Sequence, residues 1–189
     1  MHKAFLHYPK GIVVSCQAIM RIDREMELQM TVNGKAQRVR VNPNDRLLHV
    51  LRETLGLTGT KEGCSGEGEC GACTVIMDGK AVNSCLVLAL QARGKEIITI
   101  EGLESNGELD CLQQAFIDQG AIQCGYCTPG MIMAAKALLM RNPHPSEAEI
   151  RLAIAGNLCR CTGYIKIIDA IQEVAGKNLG KEGQGNEGV

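Results

Sequence analysis

Ten cysteines stand in this chain of 189 residues, and their spacing is where its chemistry can be read. Cys64, Cys70 and Cys73 crowd together, with Cys85 following; Cys124 and Cys127 form a C-x2-C, and Cys159 and Cys161 a C-x-C. No export signal is read at the N-terminus. Lys3 and Lys10 precede only the short apolar run Gly11 to Val14, Arg21 soon follows, and there is neither a twin-arginine pair nor a small-residue cleavage pattern. The expected compartment is therefore the reducing cytoplasm. Thiols clustered in loops there serve as metal ligands rather than as a disulfide framework.

The first set reads Cys64-x5-Cys70-x2-Cys73, with Cys85 in the next stretch. Iron–sulfur clusters of the plant ferredoxin kind use C-x4-C-x2-C and a distant fourth cysteine. Backbone must wrap closely around such a core with its amides aimed at the sulfides, and Gly63, Gly66, Gly68, Gly71 and Ala72 supply the small residues. Structural zinc also takes four thiolates, but it generally pairs two C-x2-C hooks, and only one is present here. The spacing therefore predicts a [2Fe–2S] cluster. The same loop contains Gly66-Glu67-Gly68-Glu69-Cys70-Gly71, formally a G-x-G-x-x-G. A dinucleotide fingerprint must follow a strand and open a helix, whereas this one follows a helix and leads into a strand.

The second set, Cys124-x2-Cys127 with Cys159-x-Cys161, is open by spacing alone between zinc and iron–sulfur. Each pair falls in a turn at a helix end, where amides favour the negative charge of a thiolate-ligated cluster. Cys16 reads as a free thiol in the N-terminal arm and Cys111 as a small buried side chain. His2, His7, His49 and His144 are scattered and compose no catalytic triad. Glu62, Glu67 and Glu69 read as a solvated loop face. A net charge of −1 without a basic run predicts no nucleic-acid partner, and no apolar stretch reaches the roughly eighteen residues of a membrane span.

Something must hold these thiols in place, and aromatic packing contributes little: Trp is absent, with 2 Phe and 3 Tyr. Met26, Leu28, Met30 and Val32 alternate as a half-buried strand, and Asn33-Gly34 supplies a type I′ turn into a returning strand. Asn44-Asp45 caps a helix carrying Leu47, Leu48, Leu51 and Leu55, which Gly56 stops. Thr74 to Met77 and Glu96 to Ile100 read as strands, with Asp78-Gly79 as a second hairpin turn. Beyond this the period becomes helical. Four helices are expected, with Thr128 as an N-cap before Pro129 and a Ser146/Glu149 capping box among their start signals. Met131 to Met140 is apolar on nearly every side and is read as core. The expected fold is α+β: an extension over 1–25, a sheet domain over 26–100, a linker over 101–110, a helical domain over 111–175 and a disordered tail over 176–189.

Three stretches resemble one family: GLTGTKEGC…ECGACTV, QCGYCTPGM and GNLCRCTGY, in that order, within residues 26 to 175. Together they resemble the iron–sulfur subunit of molybdenum hydroxylases, the xanthine dehydrogenase family. The resemblance implies a plant-ferredoxin-like β-grasp domain followed by a four-helix bundle, each with one [2Fe–2S] cluster. It assigns Cys64, Cys70, Cys73 and Cys85 to the first cluster, and Cys124, Cys127, Cys159 and Cys161 to the second. Gln123 matches the glutamine that meets molybdopterin, and Cys161 a ligand whose surroundings touch it too. A large molybdopterin-binding subunit, a medium FAD-binding subunit and a dimer of heterotrimers are implied. This chain would then carry electrons one at a time from molybdenum to flavin. A free-standing two-cluster carrier is the alternative. The substrate pocket would lie on another chain: purines, N-heterocycles, aldehydes, aromatic acyl-CoA esters and carbon monoxide all have relatives in the family, and overall similarity leans towards a xanthine or purine dehydrogenase. One departure stands out: five residues separate Cys64 from Cys70, where the family has four, so the loop must bulge.

Overall fold

The computed structural model describes residues 25–182, together with Leu6–His7 and Val13–Val14. Those two pairs are β1 and β2, an antiparallel two-residue ladder within the segment read as an extension. The rest of that extension, with Cys16, and the last seven residues of the tail lie outside the described residues.

Five strands form one mixed sheet: β3 (Met26–Val32), β4 (Lys35–Val41), β5 (Thr74–Met77), β6 (Lys80–Asn83) and β7 (Glu96–Ile98). Their spatial order is β4-β3-β7-β5-β6, with β3 and β7 parallel and every other neighbour antiparallel. Both hairpins turn where predicted. Asn33 and Gly34 sit at φ 51° and 73°, Asp78 and Gly79 at 47° and 77°, which is the paired left-handed conformation that a type I′ turn demands.

Alternation in β3 sends Leu28, Met30 and Val32 inward against Val75, Ile97 and the helical segment after β4. That segment starts as helix α1 (Leu47–His49) and continues over Val50–Thr54 with wider turns, the Leu55 N–H reaching Val50 O at 3.0 Å. The predicted cap moves by one residue. Asp45 spends its carboxylate on the Asn42 N–H at 2.7 Å, and Arg46, extended and bridged to Leu88, precedes the first turn instead.

The second unit comprises α2 (Cys111–Asp118), α3 (Thr128–Arg141), α4 (Glu147–Ile154) and α5 (Ile165–Glu182). Asp110 caps α2 and Ser146 caps α4, each in a reciprocal capping box; the second is the one predicted. At α3 the start shifts. Cys127 occupies the cap position, so Thr128 and Pro129 are already inside the first turn. Strand β7 ends two residues short of the expectation because Ile100 opens a tight turn through Gly102. Cys111 is exposed rather than buried, since it is the first residue of α2, ahead of the turn that buries Leu112, Ala115 and Phe116. Helix α5 also runs on through residues 176–182, which sequence reading placed in the tail.

α3 joins the two units, and this explains its all-round apolarity. One face packs with Phe116, Ile150, Ile167 and Ile171 in the helical core through Met131, Ala135 and Leu138. The other presents Met133 and Ala137 to Ile76 of β5. Strand β5 is consequently buried on both faces, with Val75 in the sheet core and Ile76 at the junction. The junction therefore falls immediately beside the cysteine loop that feeds β5.

Near the β5–β6 turn, Asp78 accepts from Lys95 Nζ at 2.6 Å and from the Glu96 N–H at 3.0 Å, and Lys95 first and then that amide hold its carboxyl below the usual aspartate range. A depressed folded-state pKa contributes stability above the unfolded value and loses it as pH falls through the folded one. Asp78→Asn keeps the turn geometry and removes the charge. Its stability deficit in urea titrations is expected at neutral pH and should fade below about pH 4. A deficit that grows on acidification would contradict the ion pair.

Candidate iron–sulfur centres

The first thiol group hangs on a loop closed at its base. Arg52 reaches forward to Thr60 O at 2.7 Å, and the Lys61 N–H donates to Ala72 O at 3.2 Å. Inside this closure the spacer between Cys64 and Cys70 contains two consecutive left-handed positions, Ser65 at φ 53° and Gly66 at 82°. The Gly66 carbonyl turns outward, where Arg46 Nη1 donates to it at 3.2 Å. The longer spacer thus has a side-chain partner of its own in Arg46. Cys73 and Cys85 are 2% exposed and pack with Leu48. Ser84 fixes the second of these loops by donating from Oγ to Cys73 O at 2.8 Å.

The second group gathers at the ends of helices. Cys127 caps α3, and Cys124 lies just before it in a turn with Gly125 at φ 80°. Cys161 Sγ approaches Cys124 Sγ to 3.7 Å. Tyr164, itself left-handed at φ 69°, accepts the Cys159 N–H on its hydroxyl at 2.8 Å and so shapes the C-x-C turn. Thr162 lies 3.1 Å from Cys159 Sγ through its Oγ1.

All eight thiols fall into neighbouring pairs: Cys64 with Cys70, Cys73 with Cys85, Cys124 with Cys161, and Cys127 with Cys159. Among the described residues no set of three or more Cys, His, Asp or Glu side chains is arranged about a point to hold a single metal ion. Two pairs per group is the donor set that a two-iron cluster takes, with two thiolates on each iron. Within each group the acidities diverge. The Cys70 amide, aided by its thiol and by the Glu69 and Gly68 amides, brings Cys64 down to about 6, against the opposing effect of burial. Burial, then the Cys73 thiol, pushes Cys85 up to about 12; burial, then Cys159, does the same to Cys127. For Cys159 burial is outweighed by the Thr162 hydroxyl and amide and the Cys161 amide, and the thiol is lowered. Cys161 is raised, chiefly by the Cys124 thiol beside it. Amides that favour the thiolate at Cys64 and Cys159 are also the groups that a negatively charged cluster requires.

Comparison with known proteins adds the decisive fact. Residues 30–99 match the 2Fe-2S iron-sulfur cluster binding domain and residues 99–172 the [2Fe-2S] binding domain, so the two families divide the chain at the sheet–helix boundary. The nicotinate dehydrogenase small FeS subunit of Eubacterium barkeri is 55% identical over 148 residues, which is 78% of this chain and 94% of that one. The chain belongs to the iron–sulfur subunits of the molybdenum hydroxylase family. A second member of that family, the xanthine dehydrogenase iron-sulfur-binding subunit of Escherichia coli O157:H7, is 47% identical over 80% of this chain and 96% of its own. Quinoline 2-oxidoreductase from Pseudomonas putida 86 superimposes with a TM-score of 0.79 at 47% identity, covering 85% of this chain and 98% of that one. As an iron–sulfur subunit this protein is an electron-transfer component of a multi-subunit oxidoreductase with two [2Fe–2S] domains.

Gln123 and Cys161, the residues matched to the pterin contact, are both exposed on the helical unit, Gln123 directly beside Cys124. Sequence reasoning missed Arg46, Ser84, Asn157 and Tyr164, and also Tyr126, whose hydroxyl donates to Glu62 O just ahead of Cys64. Asn157 and Tyr164 flank the C-x-C inside the quoted GNLCRCTGY, so position in the motif was the available signal. Arg46 carried none, because its partner is a carbonyl twenty residues away.

Proposed function

We propose that Cys64, Cys70, Cys73 and Cys85 hold one [2Fe–2S] cluster and Cys124, Cys127, Cys159 and Cys161 another. On this reading the chain conducts electrons from the molybdopterin of a large subunit to the FAD of a medium subunit. The pairing of the eight thiols is the observation that carries it. When bound, each cluster supplies a site for one electron at a time, which suits an oxidation that releases two. The chain's own contribution is to keep that conduit short and shielded. Cys73 and Cys85 sit deep behind Leu48, while Cys124 and Cys161 are open to the surface on the side that would meet the pterin, with Gln123 beside them. The entry point is thus the helical unit, read as a four-helix bundle, and the exit is the sheet unit, read as a plant-ferredoxin-like β-grasp.

The partners in this reading are a molybdopterin-binding large subunit and an FAD-binding medium subunit, arranged as a dimer of heterotrimers in the cytoplasm. Among the described residues no helix is long and apolar enough to cross a membrane. The relatives described above are named for nicotinate, xanthine and quinoline, so the proposed substrate class of the holoenzyme is an N-heteroaromatic compound. Purification through a tag on this chain should bring down both partners, with about four irons and four labile sulfides per copy and two distinct rhombic EPR signals after dithionite. Turnover with nicotinate, xanthine or quinoline is the expected substrate result. Recovery of the chain alone with both clusters would favour the free carrier instead, and zinc in place of iron would overturn the reading.

A further inference from the structure

Two contacts join the loops of the two cysteine groups: Tyr126, between Cys124 and Cys127, donates its hydroxyl to Glu62 O, and a buried set of hydrogen bonds gathers around Asn157, which belongs to neither ligand set. Asn157 is 4% exposed and stands two residues before Cys159. Its Nδ2 donates to Gly71 O at 2.8 Å and lies 3.1 Å from Thr74 Oγ1. Thr74 completes a triangle by donating from Oγ1 to the same Gly71 carbonyl at 2.7 Å. The carbonyl requires donors, and this fixes the orientation of the carboxamide. The next residue makes the crossing itself: the Leu158 N–H donates to Cys70 O at 2.9 Å. A ligand of one group is thus one hydrogen bond from the residue next to a ligand of the other. Small residues make room for it, since a Cβ on Gly71 would stand 2.7 Å from Asn157 Nδ2 and one on Gly130 would stand 3.0 Å from it.

Electron tunnelling falls off steeply with gaps through space and much less along bonds, so the strength of the Leu158–Cys70 crossing depends on how firmly the two loops are held in register. A buried carboxamide with two cross-loop partners is a rigid way to hold it, because an unpaired buried amide would be costly. We propose that Asn157 is a positioning residue for electron transfer between the two clusters, fixing the Leu158–Cys70 hydrogen bond that joins their loops. The proposal rests on the two-cluster reading above.

The experiment uses the assembled holoenzyme and three variants. Asn157→Asp preserves shape but replaces the Nδ2 donor with an oxygen facing the Gly71 carbonyl. Thr74→Val removes the third corner of the triangle while keeping volume. Ile76→Val loosens the same domain junction at a point where no cluster loop is held. Iron and sulfide content of the parent tests the two-cluster reading on its own. With both clusters loaded, Asn157→Asp is expected to alter the magnetic splitting between the two reduced clusters. It should also slow rapid-freeze electron transfer from the helical-unit cluster to the sheet-unit cluster at least several-fold. Thr74→Val should show the same changes in smaller degree, and Ile76→Val neither. Should Asn157→Asp fail to load a cluster, Thr74→Val decides. Unchanged splitting and rate in a loaded variant of the triangle would overturn the proposal, as would an equal slowing in Ile76→Val.

Discussion

Cys73→Ser is expected to yield a chain with about two irons and two sulfides in place of about four of each, with one EPR signal gone and the other unchanged. The reasoning begins with burial. Cys73 is 2% exposed and pairs with Cys85, whose thiol is pushed up to about 12 by burial and then by Cys73 itself. Without a cluster the Cys85 thiol stays protonated, packed with Cys73 against Leu48. A serine hydroxyl there is a poor ligand for iron, and Cys64, Cys70 and Cys85 alone cannot complete the set. The backbone survives, because Ser84 bonds the carbonyl of residue 73 and not its side chain. The second cluster survives too, since its four thiols hang on α3 and the 159–161 turn. In the holoenzyme, reduction of the flavin by substrate should fall to background. Iron analysis and EPR check the first part, stopped-flow flavin absorbance the second. Retention of all the iron would remove Cys73 from the ligand set.

Gly71→Ala should destabilise the protein by about 2–5 kcal/mol, the sum of a strained backbone and an overfilled junction. Gly71 sits at φ 66°, where an L-residue costs about 1–2 kcal/mol. Its Cβ would also run into the Gly156 carbonyl and come within 2.9 Å of Asn157 Cα. Neither neighbour is the free end of a side chain, so the loops must part and the Asn157 triangle opens. Overpacking of this kind costs about 1–3 kcal/mol. Gly130→Ala strikes the Gly71 carbonyl from the α3 side, without the backbone penalty, and is expected to cost less. Urea unfolding of the metal-loaded chain followed by circular dichroism measures both. A Gly71→Ala protein as stable as its parent would mean that the two loops are not in contact in solution.

Much of this protein is legible in one dimension. The type I′ turns at Asn33-Gly34 and Asp78-Gly79, the Ser146 capping box and the alternation of β3 are local codes, each read from a few adjacent residues whose backbone preferences act alone. The cysteine spacing is equally local, because ligands that share a loop must lie close in sequence, and it marks the chain as metal-binding before any fold is known. Helix starts were less secure. Thr128 had the right chemistry for a cap, but the turn that presents Cys127 claimed that position, and Asp45 was diverted to Asn42.

What only the tertiary structure decided are the relations between segments far apart in sequence. Spacing could not distinguish two pairs of thiols from four around a point, since that depends on how Cys85 is carried back against Cys73 and Cys161 against Cys124. Nor could it show why α3 is apolar all round. The answer is a second partner, β5, reached through Ile76. The extra residue after Cys64 was visible, but not the Arg46 that meets the Gly66 carbonyl. Asn157 belongs with these: a lone asparagine in a glycine-flanked turn reads as solvated loop, and becomes a joint between two units only when packing brings Gly71 and Thr74 to it across more than eighty residues of chain. Local preferences are set by neighbouring residues, whereas long-range hydrogen bonds form only after burial has removed the water that would otherwise satisfy them.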